Sequence, residues 1–264
     1  GFTCVDDACV EDVVTCDPAC EDGFTCVDGA CVEDVVETEF DLLAAYLEGD
    51  MGDYINTTAP KIIGAADVVA EGLENWVVLD IRGGDKYGYD ENDNWVKEPN
   101  EVPDFDDGHI PGALYVDYAE LVTWAAENLN MDDKVLVTCY TGHNAGHAVL
   151  ILNVLGYDAY SLKFGMSGWH ADFDLWTSHT STNYADQFIT DAAPAKPEAG
   201  DYPVIETGET TGDAILDARI TELMDGGFRY ADATDVFADP ESWFILNYWG
   251  EEDYLGMGHI DGAY

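Results

Sequence analysis

The sequence predicts an α/β fold, strand runs alternating with helical segments, preceded by a small cysteine-rich region. Two observations place the strands. Trp76-Val-Val-Leu79 and Val135-Leu-Val137 are short apolar runs rich in β-branched residues, each bounded by turn chemistry. A third run, Leu114-Tyr-Val116, follows the turn Gly108-His-Ile-Pro-Gly-Ala113. The third observation is the helical period between them, as in Tyr118-Ala-Glu-Leu-Val-Thr-Trp-Ala-Ala-Glu127.

In chain order the cysteine-rich region comes first. Six of the seven cysteines, Cys4, Cys9, Cys16, Cys20, Cys26 and Cys31, lie in the first 31 residues. Residues 1–14 recur at 23–36 with one change, Asp7 against Gly29, an internal repeat of period 22. A unit this short cannot bury a core of its own and must be stapled. Disulfides are the expected staples; zinc is the competing reading, but the segment has no histidine and no Cys-x2-Cys pair. Six cysteines allow about 15 pairings, and the spacing does not choose among them. The repeat resembles small cysteine-rich modules of secreted and surface-anchored bacterial proteins, which implies an extracellular, cell-surface or periplasmic place.

Short amphipathic helices are expected at Asp41–Leu47 and Ala65–Ala70. The strand Trp76–Leu79 leads into Asp80-Ile-Arg82, read as a structural ion pair. Tyr87 to Asp107 is an acidic insertion containing Asp90-Glu-Asn-Asp-Asn94; its oxygens suggest calcium, although the spacing lacks the turn glycine and distal Glu of a calcium loop. Met51, Met131, Met166 and Trp169 are read as core.

Val135-Leu-Val-Thr-Cys-Tyr-Thr-Gly-His-Asn-Ala-Gly-His147 is the stretch that carries chemistry. A strand ends in Cys139, a short Gly-containing loop follows, and a helix is expected over Ala145–Leu155. Loop amides and the positive helix end stabilise an anion there, so Cys139 is expected to stand largely as thiolate. Gly156-Tyr-Asp-Ala-Tyr-Ser-Leu-Lys-Phe-Gly-Met-Ser-Gly-Trp169 comes next.

These ordered motifs, Asp80-Ile-Arg82, Gly108-His-Ile-Pro-Gly-Ala113, the Cys139 loop, Gly156-Tyr157 and Gly165-Met-Ser-Gly-Trp169, resemble the rhodanese (sulfurtransferase) family from about Glu39 to Ser178. The resemblance implies a parallel sheet flanked by helices. It also implies a catalytic Cys139 that accepts a sulfane sulfur as a persulfide and passes it to a thiol acceptor, with the amides of Tyr140, Thr141, Gly142, His143, Asn144 and Ala145 around it. No metal or organic cofactor is needed.

One departure bears on the donor. Thiosulfate-using members and related phosphatases carry a loop arginine, whereas here the place is Asn144 and no arginine occurs between Arg82 and Arg219. Recognition of a dianion loses its bidentate partner. Phosphatase activity is therefore not expected, and a polysulfide or small-molecule persulfide fits better than thiosulfate. His143 and His147 lie near the cysteine and suggest tuning of the thiol or a soft-metal contact; three residues from one loop lack a fourth ligand to close a tetrahedral site.

Charge excludes one class of partner. Nine Lys and Arg against 55 Asp and Glu give a net charge of −46, which rules out nucleic-acid binding and repels anionic substrates. An apolar content of 47% is enough for a core, and no run of about 18 apolar residues predicts a membrane span.

Four regions follow: a cysteine-rich repeat region at 1–37, a rhodanese-like domain at 38–178, a linker at 179–209, and the first half of a second rhodanese-like domain at 210–264. The linker contains Ala192-Ala-Pro-Ala-Lys-Pro-Glu-Ala-Gly200. In the last region Trp243-Phe-Ile-Leu-Asn-Tyr-Trp249 and Gly258-His-Ile-Asp-Gly-Ala263 echo the earlier strand and turn, with Asn247 and Trp249 in place of Asp80 and Arg82, and no Cys loop follows. Because Gly1 aligns with Gly23 and half a parallel sheet leaves an open edge, both ends look cut, with further residues or a neighbouring chain completing the sheet. Two functions stand against each other: an extracytoplasmic sulfurtransferase or persulfide carrier acting through Cys139, and a non-catalytic surface or assembly protein built from such modules, which allows a homo-oligomer.

Overall fold

A computed structural model of the chain describes residues 37–83 and 105–264, residues 19–20, 24–27 and 30–33 near the N-terminus, and the strands at 2–5, 8–11, 85–89 and 95–99. The two copies of the N-terminal repeat fold alike. Strands β1 (Phe2–Val5) and β2 (Ala8–Glu11) form one antiparallel hairpin, and β3 (Phe24–Val27) and β4 (Ala30–Glu33) form another. Each places two cysteines opposite one another, Cys4 with Cys9 and Cys26 with Cys31. Cys31 is nonetheless bonded to Cys20, and Cys26 is disulfide-bonded too, so the staple is covalent.

Helix α1 (Glu39–Glu48) starts at a capping box: Thr38 Oγ1 accepts from the Asp41 amide and the Asp41 carboxylate accepts from the Thr38 amide. After α2 (Tyr54–Thr57), β5 (Ile62–Ile63) and α3 (Ala65–Glu71), the apolar run expected at 76–79 becomes β6 (Val77–Asp80). At the acidic insertion, β7 (Asp85–Tyr89) pairs antiparallel with β8 (Trp95–Pro99); the calcium suggestion falls on 90–94, outside the described residues. Then come β9 (Leu114–Tyr115), α4 (Leu121–Asn128), β10 (Lys134–Thr138), α5 (His143–Val154), β11 (Asp158–Leu162) and α6 (Gly165–Trp169).

Five of these strands form one sheet in the order β5-β11-β10-β6-β9, every pair parallel. The central strand β10 is apolar on both faces because both faces are covered. Val135, Val137 and Cys139 pack with α4 and α5 residues Leu121, Ala125, Ala145, Ala148, Val149 and Leu152. Leu136 points the other way, against Val68 of α3 and Met166 of α6. All of these are buried.

A third layer lies outside α5. Helix α7 (Gly212–Gly226) lays Leu216 and Ile220 against Ile151, Val154 and Tyr54. It meets α1 so closely that a side chain at Gly212 would come within 2.3 Å of Tyr46 Cβ. The linker is pinned just before it, where Glu39 accepts from the Thr207 amide and hydroxyl, both at 2.6 Å, and from the Gly208 amide at 2.8 Å. Residues 207–226 thus complete the core of the first unit.

The chain ends with β12 (Phe188–Ile189), which runs antiparallel to β13 (His259–Ile260), and with α8 (Ala233–Ala238) and α9 (Glu251–Met257). Around the echoed motif the backbone repeats bond for bond. Ala113 N–H donates to Ile110 O at 2.9 Å, and Ala263 N–H to Ile260 O at 3.1 Å. Arg82 N–H donates to Asp80 Oδ1 at 3.0 Å, and Trp249 N–H to Asn247 Oδ1 at 3.0 Å. Leu114 pairs parallel with Leu79; Tyr264 bonds Ile245 O and the Asn247 amide, the same register opposite Leu246. Each first glycine of the motif lies under an aromatic ring, Gly108 under Phe173 and Gly258 under Phe188.

Residues 243–249, expected as a strand, do not form one. Their pairing reaches Tyr264 on one side, and among the described residues no neighbour corresponding to β10 lies on the other. A ladder one residue long does not hold an extended strand. No helix among the described residues is long and apolar enough to cross a membrane.

Candidate functional site

Cys139 is the residue after β10, at the carboxyl end of the central strand. Gly142 then turns the chain with φ 98, and α5 begins at the next residue. That left-handed turn, open to glycine without steric cost, directs loop amides inward. Gly142 N–H donates to Cys139 Sγ at 3.2 Å and Ala145 N–H at 3.4 Å. The amides of Thr141 and Asn144 also favour the charged sulfur.

The remaining loop residues sit elsewhere. His143 is exposed, with Thr141 Oγ1 3.4 Å from its Nδ1. The Tyr140 ring stacks toward the Arg82 guanidinium at 5.9 Å, and its carbonyl accepts from the Ser167 amide at 3.0 Å. His147 bonds through its Nδ1 to the Tyr118 hydroxyl, and its ring meets that of Phe228 edge to face with centroids 5.5 Å apart. Burial lowers the His147 pKa and raises that of Tyr118 to about 12, so both are neutral near pH 7. No cluster of three or more metal-ligating side chains forms among the described residues.

The thiolate expectation needs correction. Cys139 is only 4% exposed, and burial pushes its thiol up despite the amides that pull it down. Cys139 belongs to the buried apolar cluster of β6, β10 and α5, whose packing removes the water that would solvate a charge, and this outweighs the donors. The resting sulfur is a thiol in a cradle made for an anion.

Two features behind the loop were only partly legible as motifs. Gly165 presses on the loop so tightly that a Cβ would lie 2.5 Å from Cys139 O, and Met166 N–H donates to that oxygen at 2.8 Å. Asp80 and Arg82, both buried, form the expected pair through Nη2 to Oδ2 at 2.7 Å and Nε to Oδ1 at 3.0 Å. Arg82 also donates to Gly108 O at 2.6 Å and lies under the Phe173 ring at 4.9 Å. It ties the end of β6 to the Gly108–Ala113 turn through Nε and Nη2, while its buried Nη1 has no hydrogen-bond partner.

Residues 65–172 match the family model of the rhodanese-like domain. This segment is a rhodanese-like domain. Among solved structures, it is similar to a rhodanese-related protein of Thermoplasma volcanium, 23% identical over 42% of this chain and 92% of that one, with a TM-score of 0.32. A rhodanese-like domain protein of Staphylococcus aureus is 19% identical over 42% of this chain and 91% of that one, TM-score 0.32. The rhodanese-like domain of an Anabaena protein is 18% identical over 54% of this chain and 98% of that one, TM-score 0.32. At the family level the rhodanese-like domain points to sulfur transfer or sulfur carriage. Its Cys139 is the free cysteine of the described residues.

Proposed function

We propose that the chain is an extracytoplasmic sulfurtransferase or persulfide carrier in which Cys139 takes sulfane sulfur from a donor of low charge, in preference to thiosulfate. The observation that carries this reading is the cradle: a free thiol whose sulfur accepts from the amides of Gly142 and Ala145, within a rhodanese-like domain. Loss of its proton to solvent turns Cys139 into the nucleophile. It attacks the outer sulfur of a donor persulfide; the new Cys–S–S bond forms as the donor's S–S bond breaks, and the donor thiolate leaves with the electron pair. An acceptor thiolate then attacks the terminal sulfur and releases Cys139. No external oxidant enters, and the four amides that counter burial in the resting thiol stabilise the charged states on either side of each step.

The donor preference rests on charge. The loop contributes Asn144 in place of a guanidinium, the buried Arg82 is paired with Asp80 through Nη2 and Nε, and the chain carries a net −46. The Cys20–Cys31 disulfide supports an oxidising compartment. Within 210–264, expected as the first half of a second such unit, helix α7 packs on the first unit and the echo of its strand and turn lies in residues 243–264, without a thiol.

Burial of Cys139 favours the rival reading, a scaffold for surface assembly with an unused thiol. Cyanolysis separates the two. After incubation with polysulfide, wild type is expected to release about one thiocyanate per chain and Cys139→Ser none. Equal release from both would leave only the scaffold. Thiosulfate loading Cys139 as fast as polysulfide would remove the donor preference.

A further inference from the structure

Among the described residues, two other than glycine hold a positive φ, Asp53 and Phe164. At Asp53, φ 52, the carboxylate accepts from Asn56 Nδ2 at 2.8 Å at the entry to α2, and short polar side chains tolerate that region. Phe164, at φ 65 and ψ 13, is a bulky aromatic residue that gains nothing there.

Its surroundings lock the conformation. Lys163 N–H donates to Ile63 O at 2.8 Å on one side, and Gly168 N–H donates to Phe164 O at 3.2 Å on the other. The next residue, Gly165, is wedged against the Cys139 carbonyl. Strain that the fold over-determines gathers at functional sites, and this strain lies against the cysteine loop. Phe164 N is 3.6 Å from where a Cβ on Gly142 would stand, and the Gly142 amide is one of the two donating to the sulfur.

A glycine would hold this backbone more cheaply, yet the position carries a ring that packing does not bury. Phe164 is 47% exposed, and so is Trp176, with ring centroids 5.5 Å apart. Leu175, also exposed, is tied to the same loop: its amide donates to Ser167 Oγ at 3.1 Å, and that oxygen lies 3.1 Å from the Tyr140 carbonyl. One cation stands nearby, Lys163, whose ammonium is 5.4 Å from the Phe164 ring.

We propose that Phe164 and Trp176 form an apolar lip that selects the sulfur donor, holding the aromatic or aliphatic body of an organic persulfide while the amide cradle takes its terminal sulfur. This rests on the sulfur-transfer reading of Cys139. It makes Phe164 a specificity-determining residue and explains why a ring is kept at a left-handed position. An uncharged body suits this mouth because the chain repels anions and the loop lacks a guanidinium.

Phe164→Gly tests it, since glycine adopts φ 65 without strain, and thermal melting checks that the variant is folded. The ratio of kcat/KM for benzyl persulfide to that for inorganic polysulfide is expected to fall about tenfold in Phe164→Gly and in Trp176→Ala, the loss of one well-packed aromatic contact. A second measurement does not need chemistry. In Cys139→Ser, saturation-transfer NMR is expected to show saturable contact with the ring of benzyl methyl sulfide, and none in Cys139→Ser/Phe164→Gly. An unchanged ratio in both single variants, or no contact in Cys139→Ser, overturns the lip. Failure of wild type to carry cyanolysable sulfur from either donor overturns the sulfur-transfer reading instead, and the NMR result then decides the lip alone.

Discussion

The amide of Gly142 stands 3.2 Å from the sulfur of Cys139, and it can point there because the chain at Gly142 turns through φ 98. A cradle built from backbone depends on backbone freedom. Gly142→Ala has room for its methyl, with nothing nearer than 3.5 Å, but not the dihedral. It is expected to cost about 1–2 kcal/mol in urea unfolding and to lower cyanolysable sulfur per chain.

Gly165→Ala fails on two counts. The dihedral, φ 55, is left-handed, and the new methyl would also lie 2.5 Å from Cys139 O and 2.8 Å from Tyr140 O, both backbone atoms that cannot step aside cheaply. A cost of about 2–3 kcal/mol is expected, larger than at Gly142, with weaker amide-exchange protection across residues 139–145.

Burial of Cys139 gives an alkaline signature. The folded chain binds the thiol proton more tightly than the unfolded chain, whose cysteine titrates near about 8.5. Above that pH the unfolded state holds fewer protons, so stability falls as pH rises toward the higher folded value. Urea unfolding followed from pH 8 to pH 10 is expected to show a steeper loss in wild type than in Cys139→Ala. Iodoacetamide reactivity of the native protein should still be climbing where a free thiol has levelled off.

Breaking the Asp80–Arg82 pair on one side should cost more than removing both charges. Arg82→Met leaves Asp80 charged, fully buried and unpaired, at an expected cost of about 3–5 kcal/mol, whereas Asp80→Asn/Arg82→Met removes the charge and recovers part of it. Residues 247–249 build the same amide-to-side-chain turn from Asn247 and Trp249, which shows that an amide suffices for the local bond. Unfolding of the three proteins in guanidinium checks the order.

Glu39 is the clasp between α1 and the linker. Hydrogen bonds from the Thr207 hydroxyl, then the Thr207 amide, hold its carboxyl below the ordinary carboxylate range. A depressed value means that the clasp is present above the ordinary carboxylate pKa and is lost as pH falls through the lowered one. Glu39→Gln is expected to speed amide exchange at Thr207 and Gly208 at neutral pH, an effect that vanishes in acid, where wild type lets go as well.

Much of the frame was legible in residue order. Alternating apolar runs and turns located β6, β9, β10 and their helices, because parallel strands covered on both faces leave continuous apolar segments. The N-terminal repeat was visible as letters and returned as two hairpins of one register. The loop around Cys139 was visible as strand, glycine turn and helix. Hidden were the clasp from Glu39 to Thr207, the seating of α7 on α5, and the bond from Tyr118 to His147, all contacts between residues distant in the chain.

The sequence by itself determined that a lone thiol would follow a central strand and face a helix start, since strand period, glycine turn and helix onset are local properties of neighbouring residues. Only the tertiary structure decided the state of that thiol. Whether amides or desolvation wins depends on how completely the surrounding apolar cluster excludes water, and that is set by the packing of β6, β10 and α5 together.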